Sequence, residues 1–443
     1  LRVIKKIQTE LIILIFLSIN IFLSYNIDIG LYNYFSNFND SLGAIYLKEF
    51  FIGITKLGDS LWYFLIIITS FLISVIFEKT KVLPSMNYQK IKNFCVFGFF
   101  YLLSVGLVTQ ILKHLVGRPR PNYTDLNNSF GFNFFSFDSA FHSFPSGHSS
   151  TIISVVIILS LILPSLKILF YIFGFFIAIS RVVVGAHFVT DVIAGMVVAI
   201  IVYKILLIFV QKRYQNFSLK NYVLKPSLLT KSLIIFLITA IFLTIGFKFD
   251  MFFSGLFYYG KNQFFLQSYD FISIIFRKIL LPFCIIYIFI LPILGRFFSL
   301  KKIFFGYKFS LKEILFIWAS GIITSIFVVN VLLKNTWGRA RPNDILQFGG
   351  TNNFTPWYKF SEECLSNCSF VSGDASIGFM LIIFYFLTNK NIYFYLAIIS
   401  GSTLGFIRII AGGHFLSDII FSNIVVVFVV ATSFYIFKKN YGK

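Results

Sequence analysis

Charged residues are scarce in this chain. Asp, Glu, Lys and Arg make up only 12% of its 443 residues, whereas 58% are hydrophobic and the mean hydropathy is +0.85. Because soluble domains carry about 25% charged residues, this composition excludes an ordinary soluble protein. The abundance of apolar residues instead predicts an integral membrane protein.

Acidic residues are the scarcer of the two charged classes. The chain has 17 Asp and Glu against 38 Lys and Arg, which gives a formal net charge of +21. Such an excess is also typical of nucleic-acid-binding segments. Here, however, most cations lie in short loops between apolar runs, as the positive-inside rule expects of a membrane protein. We therefore expect membrane lipids as the surroundings and no nucleic-acid partner.

Cysteine is also rare, with four in the chain. Cys95 and Cys284 fall inside apolar runs, where we expect inert thiols. Cys364 and Cys368 share a polar loop predicted to face outward, where a disulfide is allowed. Their spacing also permits a metal pair, but no third or fourth soft ligand lies nearby, so no metal site is predicted. The sequence leaves open whether the two form a disulfide.

Apolar runs of spanning length follow one another along most of the chain. In the first half they lie near residues 9–26, 60–77, 94–112, 149–164, 167–186 and 190–210. In the second half they lie near residues 232–247, 279–295, 314–333, 375–388, 392–410 and 416–437. This pattern predicts an all-α polytopic membrane protein with about 12 transmembrane helices. Because six spans per half is an even number, the two six-helix bundles, over residues 1–215 and 230–443, should be parallel.

Cations set the predicted orientation of these helices. Arg2, Lys5 and Lys6 precede an apolar run at 11–23 that lacks a small-x-small cleavage site, so we expect a retained first helix rather than a signal peptide. The basic loop at 79–92 falls on the same side as these residues, which the positive-inside rule assigns to the cytoplasm. Both termini are then cytoplasmic, and the motifs of the first half face outward.

Ionisable and small polar residues interrupt the apolar pattern at a few helix ends, and such positions are functional-site candidates. In the first half the candidates are Lys113, Arg120, Ser146, Gly147, His148, Arg181, His187 and Asp191. They occur in three blocks, which the predicted topology places on one side of the membrane. The sequence therefore predicts one site assembled from three parts of the first half.

Five of these residues are suited to holding a phosphate group. Lys113 is a cation, and Arg120 and Arg181 offer planar guanidinium groups that pair with phosphate oxygens. Ser146 and Gly147 lead into a predicted helix, whose first backbone N–H groups can face an anion. These residues predict a phosphate-binding cradle.

The remaining three residues are suited to proton and phosphoryl transfer. If the region of His187 is helical, Asp191 lies one turn further on, within reach of the imidazole. A carboxylate on one ring nitrogen fixes the tautomer and leaves the other nitrogen nucleophilic. His148 is a second imidazole that can protonate a leaving alkoxide. Together with the cradle, they predict phosphoryl transfer through a phosphohistidine without a metal.

Three motifs carry a family resemblance: K-x6-R-P from Lys113, P-S-G-H ending at His148, and S-R-x5-H-x3-D ending at Asp191. They resemble the three-part signature of the type 2 phosphatidic acid phosphatase (PAP2) superfamily. The resemblance implies PAP2-like bundles, with His187 as nucleophile, Asp191 as its partner and His148 as general acid. It implies that the phosphate is held by Lys113, Arg120, Ser146, Gly147 and Arg181. It further implies a phosphorylated membrane lipid as substrate, no cofactor, and a bacterial plasma membrane location with the site facing the periplasm.

The motifs recur in the second half, which indicates a tandem duplication. Lys334 lies 221 residues after Lys113 (334 − 113), and His414 lies 227 residues after His187 (414 − 187). The corresponding candidates are Lys334, Arg341, Ser372, Gly373, Asp374, Arg408, His414 and Asp418. By this correspondence His414, Asp418 and Asp374 are catalytic candidates, and the other five are phosphate-binding candidates.

The second half departs from the signature. Asp374 stands in place of His148, and Ile407 in place of Ser180. One interpretation is a copy kept only for packing; another is an active or substrate-binding site with a carboxylic acid as proton donor. The residues leave this choice open. The stretch 368–374 resembles, more weakly, a carboxylate-bearing second motif of bacterial PAP2-like, lipid A phosphatase-type proteins.

The function implied by the resemblance is dephosphorylation of a lipid phosphomonoester or pyrophosphate. Family substrates include undecaprenyl pyrophosphate, phosphatidic acid, phosphatidylglycerol phosphate and lipid A, and no residue chooses among them. One alternative is a lipid-to-lipid phosphotransferase, which uses the same residues. Another is a transporter or lipid-binding protein that holds the phosphate without turnover. Arg118 and Arg339, which recur in Gly-Arg-x-Arg-Pro in both halves, stay outside the predicted core site.

Overall fold

Helices account for almost all of the regular structure. The computed structural model describes residues 25–36, 42–80, 88–123, 132–213, 222–260 apart from 225, 263–298 apart from 269, 270, 272 and 273, residue 304, and residues 307–441. Within these residues there is no β-strand, and two isolated β-bridges occur. The all-α prediction is therefore confirmed. The predicted first span near 9–26 and residues 81–87 of the predicted basic loop lie outside the described residues.

The chain divides into two units, Leu1–Lys231 and Ser232–Lys443. The helices of the first half are α1 (Tyr25–Ser36), α2 (Leu42–Ile54), α3 (Ser60–Thr80), α4 (Tyr88–Val116), α5 (Gly147–Ile162), α6 (Lys167–Val183) and α7 (Val189–Arg213). A short 3₁₀ turn, Thr55–Gly58, joins α2 to α3. This turn contributes to the site described below.

Helix α5 packs against α4, α6 and α7. Its N-terminus is capped by Ser146, whose side chain accepts the backbone N–H of Ser149 at 3.4 Å. Helix α7 passes close to this cap because Gly195 has no side chain: a Cβ there would lie 2.4 Å from the carbonyl oxygen of Ser146. The hydroxyl of Tyr101 donates to the carbonyl of Ala199 at 2.8 Å and ties α4 to α7. These contacts fix the helix ends that carry the three motifs.

The surface of helix α3 indicates the surroundings of the first half. Only 6% of its most apolar 18-residue window is buried inside the protein. Large apolar side chains such as Leu61, Trp62 and Ile66 are more than half exposed. A helix with so much exposed apolar surface is suited to contact with lipid.

The helices of the second half are α8 (Leu228–Ile245), α9 (Phe249–Gly255), α10 (Ile275–Phe297), α11 (Leu311–Thr336), α12 (Gly373–Thr388), α13 (Asn391–Ile410) and α14 (Leu416–Tyr441). The order of α3 to α7 recurs in α10 to α14. Helices α10 and α11 contain π-helical segments, Ile286–Ile290 and Ile323–Leu333. Helix α12, like α5, starts with the second motif and is capped by a serine, Ser372.

The described residues contain eight helices that are long and apolar enough to span a membrane, namely α3, α4, α6, α7, α10, α11, α13 and α14. Helices α8 and α9 form a pair bent by 92°, and α5 and α12 are shorter apolar helices. The predicted multi-pass membrane architecture is thus confirmed. Its count of about 12 spans is not, because the segment near 9–26 lies outside the described residues and two of the helices are short.

A disulfide joins Cys364 and Cys368 in the loop between α11 and α12. This settles the pairing that the sequence left open. Cys95 and Cys284 are buried free thiols, as predicted.

Candidate active site

A cavity of about 470 Å³ opens in the first half where several helix ends meet. Its wall includes the start of α3, the second half of α4, the start of α5 and the end of α6. Six of the predicted site residues line it: Lys113, Arg120, Gly147, His148, Arg181 and His187. The three blocks that are separate in sequence therefore share one space.

Three cations face this cavity. Lys113, in the last turn of α4, is 8% exposed. Arg181, in the last turn of α6, donates from Nη1 to the hydroxyl of Thr55 at 3.0 Å. The Nε atoms of Arg120 and Arg181 are buried without a hydrogen-bond partner in the described part of the chain. Buried donors without partners are costly, and a phosphate group in the cavity would supply the missing acceptors.

His187 lies in the turn between α6 and α7. Its Nδ1 is 3.7 Å from Oδ2 of Asp191 and 3.5 Å from the hydroxyl of Ser143. The predicted helical spacing is replaced by a capped turn, because α7 begins only at Val189. The carboxylate of Asp191, in the first turn of α7, accepts the backbone N–H of Phe188 at 2.9 Å, which is half of a capping box. With Nδ1 facing the carboxylate, Nε2 is the atom left to act as nucleophile.

Burial keeps His187 neutral. The residue is 3% exposed, and burial lowers the pKa of His187 to about 4, although Asp191 acts to raise it. An imidazole with that pKa is unprotonated at neutral pH, so one ring nitrogen has a free lone pair. Attack on phosphorus requires a neutral imidazole of this kind.

The other carboxylate oxygen of Asp191, Oδ1, is held by a buried arginine, Arg118. Arg118 donates from Nη1 to Asp191 at 2.6 Å and from Nη2 to Asp28 at 2.9 Å. Asp28, from α1, also accepts the backbone N–H of Thr190 at 3.0 Å. Burial acts to lower the pKa of Arg118, but the carboxylates of Asp191 and Asp28 raise it overall, so the guanidinium stays charged. Arg118 therefore holds the carboxylate that orients His187.

His148 lines the cavity from the first turn of α5. The turn Thr55–Gly58 passes so close to it that a Cβ at Gly58 would lie 2.8 Å from the Cβ of His148. The glycine therefore leaves room for the imidazole. Asp59 lines the same cavity and is an acidic neighbour of His148.

The structure corrects the role predicted for Ser146. Its backbone N–H donates to the carbonyl oxygen of Asp191 at 2.9 Å and is therefore not available to an anion. Its side chain is fully buried as the cap of α5. Ser143, which the sequence analysis did not select, donates to Oδ2 of Asp191 at 2.5 Å and supports the carboxylate that faces His187.

The second half repeats the buried contacts of His187 and Asp191 around His414 and Asp418. Nδ1 of His414 lies 3.7 Å from Asp418 and donates to the carbonyl oxygen of Ser369 at 2.6 Å. Because a carbonyl only accepts, Nδ1 carries the proton and Nε2 is left free. Arg339 donates to Asp418 at 2.6 Å and to Asp250 at 2.8 Å. Burial lowers the pKa of His414 to about 4, so this imidazole is also neutral at pH 7.

The cations of the second half have more partners within the protein. Nζ of Lys334 donates to Oδ1 of Asn367 at 3.3 Å, and Nη2 of Arg341 donates to the carbonyl of the same residue at 2.7 Å. Asn367 lies inside the loop closed by the disulfide of Cys364 and Cys368. This loop therefore places a neutral polar residue against two predicted phosphate-binding side chains.

Asp374 is paired with two arginines. Its Oδ2 lies 3.4 Å from Nε of Arg277 and 3.5 Å from Nε of Arg408. Asp374 is the second residue of α12, after Gly373. It stands where α5 carries His148, so the change from imidazole to carboxylate comes with two guanidinium partners.

A family model described as the PAP2 superfamily matches residues 95–215 and 314–442. These two segments cover more than half of the chain. The chain belongs to the PAP2 superfamily. The two matches also confirm that the PAP2 segment is present twice.

Two curated relatives and one solved structure are similar to this PAP2 protein. The lipid A 4'-phosphatase of Francisella tularensis subsp. novicida is 37% identical over 202 residues, which is 44% of this chain and 87% of the relative. The lipid A 1-phosphatase of Rhizobium johnstonii is 40% identical over 98 residues, 22% of this chain and 40% of the relative. A PAP2-type phosphatidylglycerolphosphate phosphatase from Bacillus subtilis aligns over 47% of this chain and 96% of its own, with 21% identity and a TM-score of 0.34. The chain is thus a PAP2 phosphatase, a phosphoric ester hydrolase of the membrane.

The buried arginines of this PAP2 phosphatase, and the aspartates that pair with them, could have been found from their recurrence in the sequence. Arg339 follows Arg118 by 221 residues (339 − 118), and Asp250 follows Asp28 by 222 (250 − 28). In a chain with so few acids, an aspartate that recurs at the motif offset was a candidate partner for the recurring arginine. Within the described residues, no group of three or more His, Cys, Asp or Glu side chains is placed to bind a metal.

Proposed function

We propose that the first half of this PAP2 phosphatase hydrolyses a phosphorylated membrane lipid through a phosphohistidine intermediate, without a metal ion. The observation that carries the proposal is the shared cavity, where His187 and three cations face the same space. The neutral state of His187 supports its role as nucleophile. The unpaired Nε atoms of Arg120 and Arg181 support a phosphate group as the ligand.

In the first step Nε2 of His187 attacks phosphorus in line with the ester oxygen. Lys113, Arg120 and Arg181 hold the non-bridging oxygens and stabilise the charge that develops there. As the bond between phosphorus and the ester oxygen breaks, the lipid alkoxide takes a proton from His148. The products are the lipid alcohol and a phosphohistidine at His187.

In the second step water releases the phosphate. His148, now neutral, accepts a proton from water as the oxygen attacks phosphorus, and the phosphorus–nitrogen bond breaks. The electron pair returns to Nε2 of His187. Through both steps Asp191, held by Arg118 and Ser143, keeps Nδ1 as the protonated nitrogen.

A lipid is the substrate that the surroundings favour. The cavity includes apolar residues of α3 and α4, such as Phe64, Leu103 and Leu107, and the outer surface of α3 is apolar. The two curated relatives are named for lipid A, so lipid A is the first substrate to test. Phosphatidic acid, phosphatidylglycerol phosphate and undecaprenyl pyrophosphate complete the panel.

We also propose that the active site faces the periplasm of a bacterial plasma membrane, with both termini in the cytoplasm. The supporting observation is the distribution of cations between short loops. Phe137 is 87% exposed in the loop that precedes the second motif. In a Cys95→Ser and Cys284→Ser background, Phe137→Cys should react with a membrane-impermeant maleimide in intact spheroplasts, and labelling only after lysis would reverse the orientation.

The decisive experiment compares His187→Ala with His414→Ala in detergent-purified protein. We expect His187→Ala to abolish phosphate release from the lipid monoesters, whereas His414→Ala retains it, because the complete motif set belongs to the first half. Free phosphate should match lipid alcohol one to one. A shortfall of free phosphate with a newly phosphorylated lipid would identify the phosphotransferase instead. Appreciable release from a lipid monoester by His187→Ala would contradict the assignment of the nucleophile.

A chelator tests the metal-free mechanism separately. Activity should be the same with and without EDTA, because imidazole and guanidinium groups carry every step. Loss of activity that a divalent cation restores would contradict it.

A further inference from the structure

The second half keeps the means to attack phosphorus. His414 is buried and neutral, its Nδ1 is fixed by the carbonyl of Ser369, and Asp418 is held by Arg339 as Asp191 is held by Arg118. The distances between corresponding atoms agree: the imidazole and carboxylate are 3.7 Å apart in both halves. The nucleophile of the second half is therefore built as that of the first.

At the position of His148, the second half carries a carboxylate and not an imidazole. Asp374 lies between the guanidinium groups of Arg277 and Arg408, with nitrogen–oxygen distances of 3.4 and 3.5 Å. Both contacts place Oδ2 against a guanidinium group, so the carboxylate is the partner of two cations rather than a proton donor. The predicted carboxylic acid donor is therefore disfavoured by the geometry. An alkoxide leaving group would have to depart without help.

The second half nevertheless keeps the charge needed to hold an anion. The carboxylate of Asp374 adds one negative charge beside Lys334, Arg341 and Arg408. Arg277 adds a cation at the same place, so four cations stand against one carboxylate, a net charge of +3. Arg277 comes from α10, and the cations of the first half have no such fourth member among the residues that line their cavity.

An attacking imidazole, a cationic cradle and no acid suit one class of substrate. The general acid matters when the leaving oxygen is strongly basic, as in an alkyl phosphate, and it contributes about 10²–10⁴-fold there. A phosphoanhydride or an aryl phosphate releases a weakly basic anion that needs no proton. We propose that the second half is a separate phosphoryl-transfer site restricted to such substrates, with phosphoanhydrides as the natural class. This inference rests on the phosphohistidine chemistry proposed for the first half.

The proposed reaction needs no proton donor from the protein. Nε2 of His414 attacks phosphorus, the bond to the bridging oxygen breaks, and that oxygen leaves with the electron pair as a phosphate or phenolate anion. Water then attacks the phosphohistidine, and the electron pair of the phosphorus–nitrogen bond returns to Nε2. The protons of the water pass to the released phosphate and to solvent.

The test uses the full-length protein with the first site disabled. His187→Ala is assayed with 4-nitrophenyl phosphate and with n-octyl phosphate in mixed micelles, and His187→Ala/His414→Ala provides the blank. We expect hydrolysis of the aryl ester at least tenfold above the blank and hydrolysis of the alkyl ester equal to the blank. Adding Asp374→His to His187→Ala should raise alkyl ester hydrolysis by about 10²–10⁴-fold, the usual contribution of a general acid.

The intact mass of the protein provides a readout that does not depend on the Asp374→His substitution. His187→Ala quenched during turnover of the aryl ester should carry one phosphoryl group, and the double histidine variant should carry none. Equal rates on both esters would overturn the proposal, because a proton donor must then exist. The proposal would also be overturned if a His187→Ala protein that unfolds at the wild-type temperature showed neither turnover nor a phosphoryl label. His414→Ala reports on the first half alone, so failure of the proposed lipid phosphatase would appear there and not in these assays.

Discussion

The two halves of this protein agree in the network behind the proposed nucleophile and differ in the side chains in front of it. Behind it, an arginine joins two aspartates at 2.6 and 2.9 Å in the first half and at 2.6 and 2.8 Å in the second. In front, His148 gives way to Asp374, and Asn367 contacts two of the cations. The difference shows which parts of the site tolerate change.

A physical reason separates the two regions. The network behind the proposed nucleophile is buried, and removal of one member leaves an unpaired charge that costs about 3–5 kcal/mol. The opposite side is partly exposed, so a new charge there can be offset by a solvent-exposed side chain, as Arg277 offsets Asp374. The front of a duplicated site can therefore change its chemistry while the back stays fixed.

The largest expected effect comes from removing the buried arginine. Arg118→Ala leaves Asp28 and Asp191 unpaired, so we expect a loss of about 3–5 kcal/mol in unfolding free energy and no lipid phosphatase activity. Arg339→Ala should destabilise the second half by a similar amount and spare the activity of the first. Thermal unfolding in detergent and phosphate release measure both. If Arg118→Ala kept most of its activity, the arginine would not position the nucleophile.

The next largest difference between the halves should come from removal of the proposed proton donor. His148→Ala should slow lipid phosphate turnover by about 10²–10⁴-fold, the usual contribution of a general acid, while Asp374→Ala changes the same rate less than threefold. Both comparisons use steady-state rates on one lipid phosphate. A fall of less than threefold in His148→Ala would remove this histidine from its role.

The pH dependence should differ least between the halves, because burial holds both imidazoles neutral. The pKa values of His187 and His414 are about 4, so each imidazole becomes protonated, and can no longer attack phosphorus, only as the pH falls through about 4. On this ground kcat/KM of each half should be flat from pH 5 to 7 and should fall tenfold per unit below about 4. A fall in kcat/KM that begins above pH 5, in His187→Ala for the second half or in His414→Ala for the first, would show that the remaining imidazole is not held neutral.

Much of this arrangement was readable from the sequence. Apolar runs located the spanning helices because a long, apolar helix satisfies its own backbone hydrogen bonds in lipid. The recurrence of Lys113 as Lys334 and of His187 as His414 revealed the duplication. Residue chemistry then selected the candidate phosphate-binding and catalytic side chains, and the cavity of the first half brings together six of these candidates.

The sequence by itself determined the membrane helices, the duplication and the reactive side chains, since each depends on residue type and on spacing within one segment. Only the tertiary structure decided how distant segments meet. It showed that the N–H of Ser146 is used by Asp191, that Arg118 binds an aspartate 90 residues away, and that Arg277 reaches Asp374. Spacing along a helix fixes neighbours within a turn or two, whereas contacts between elements follow from packing, which no local pattern records.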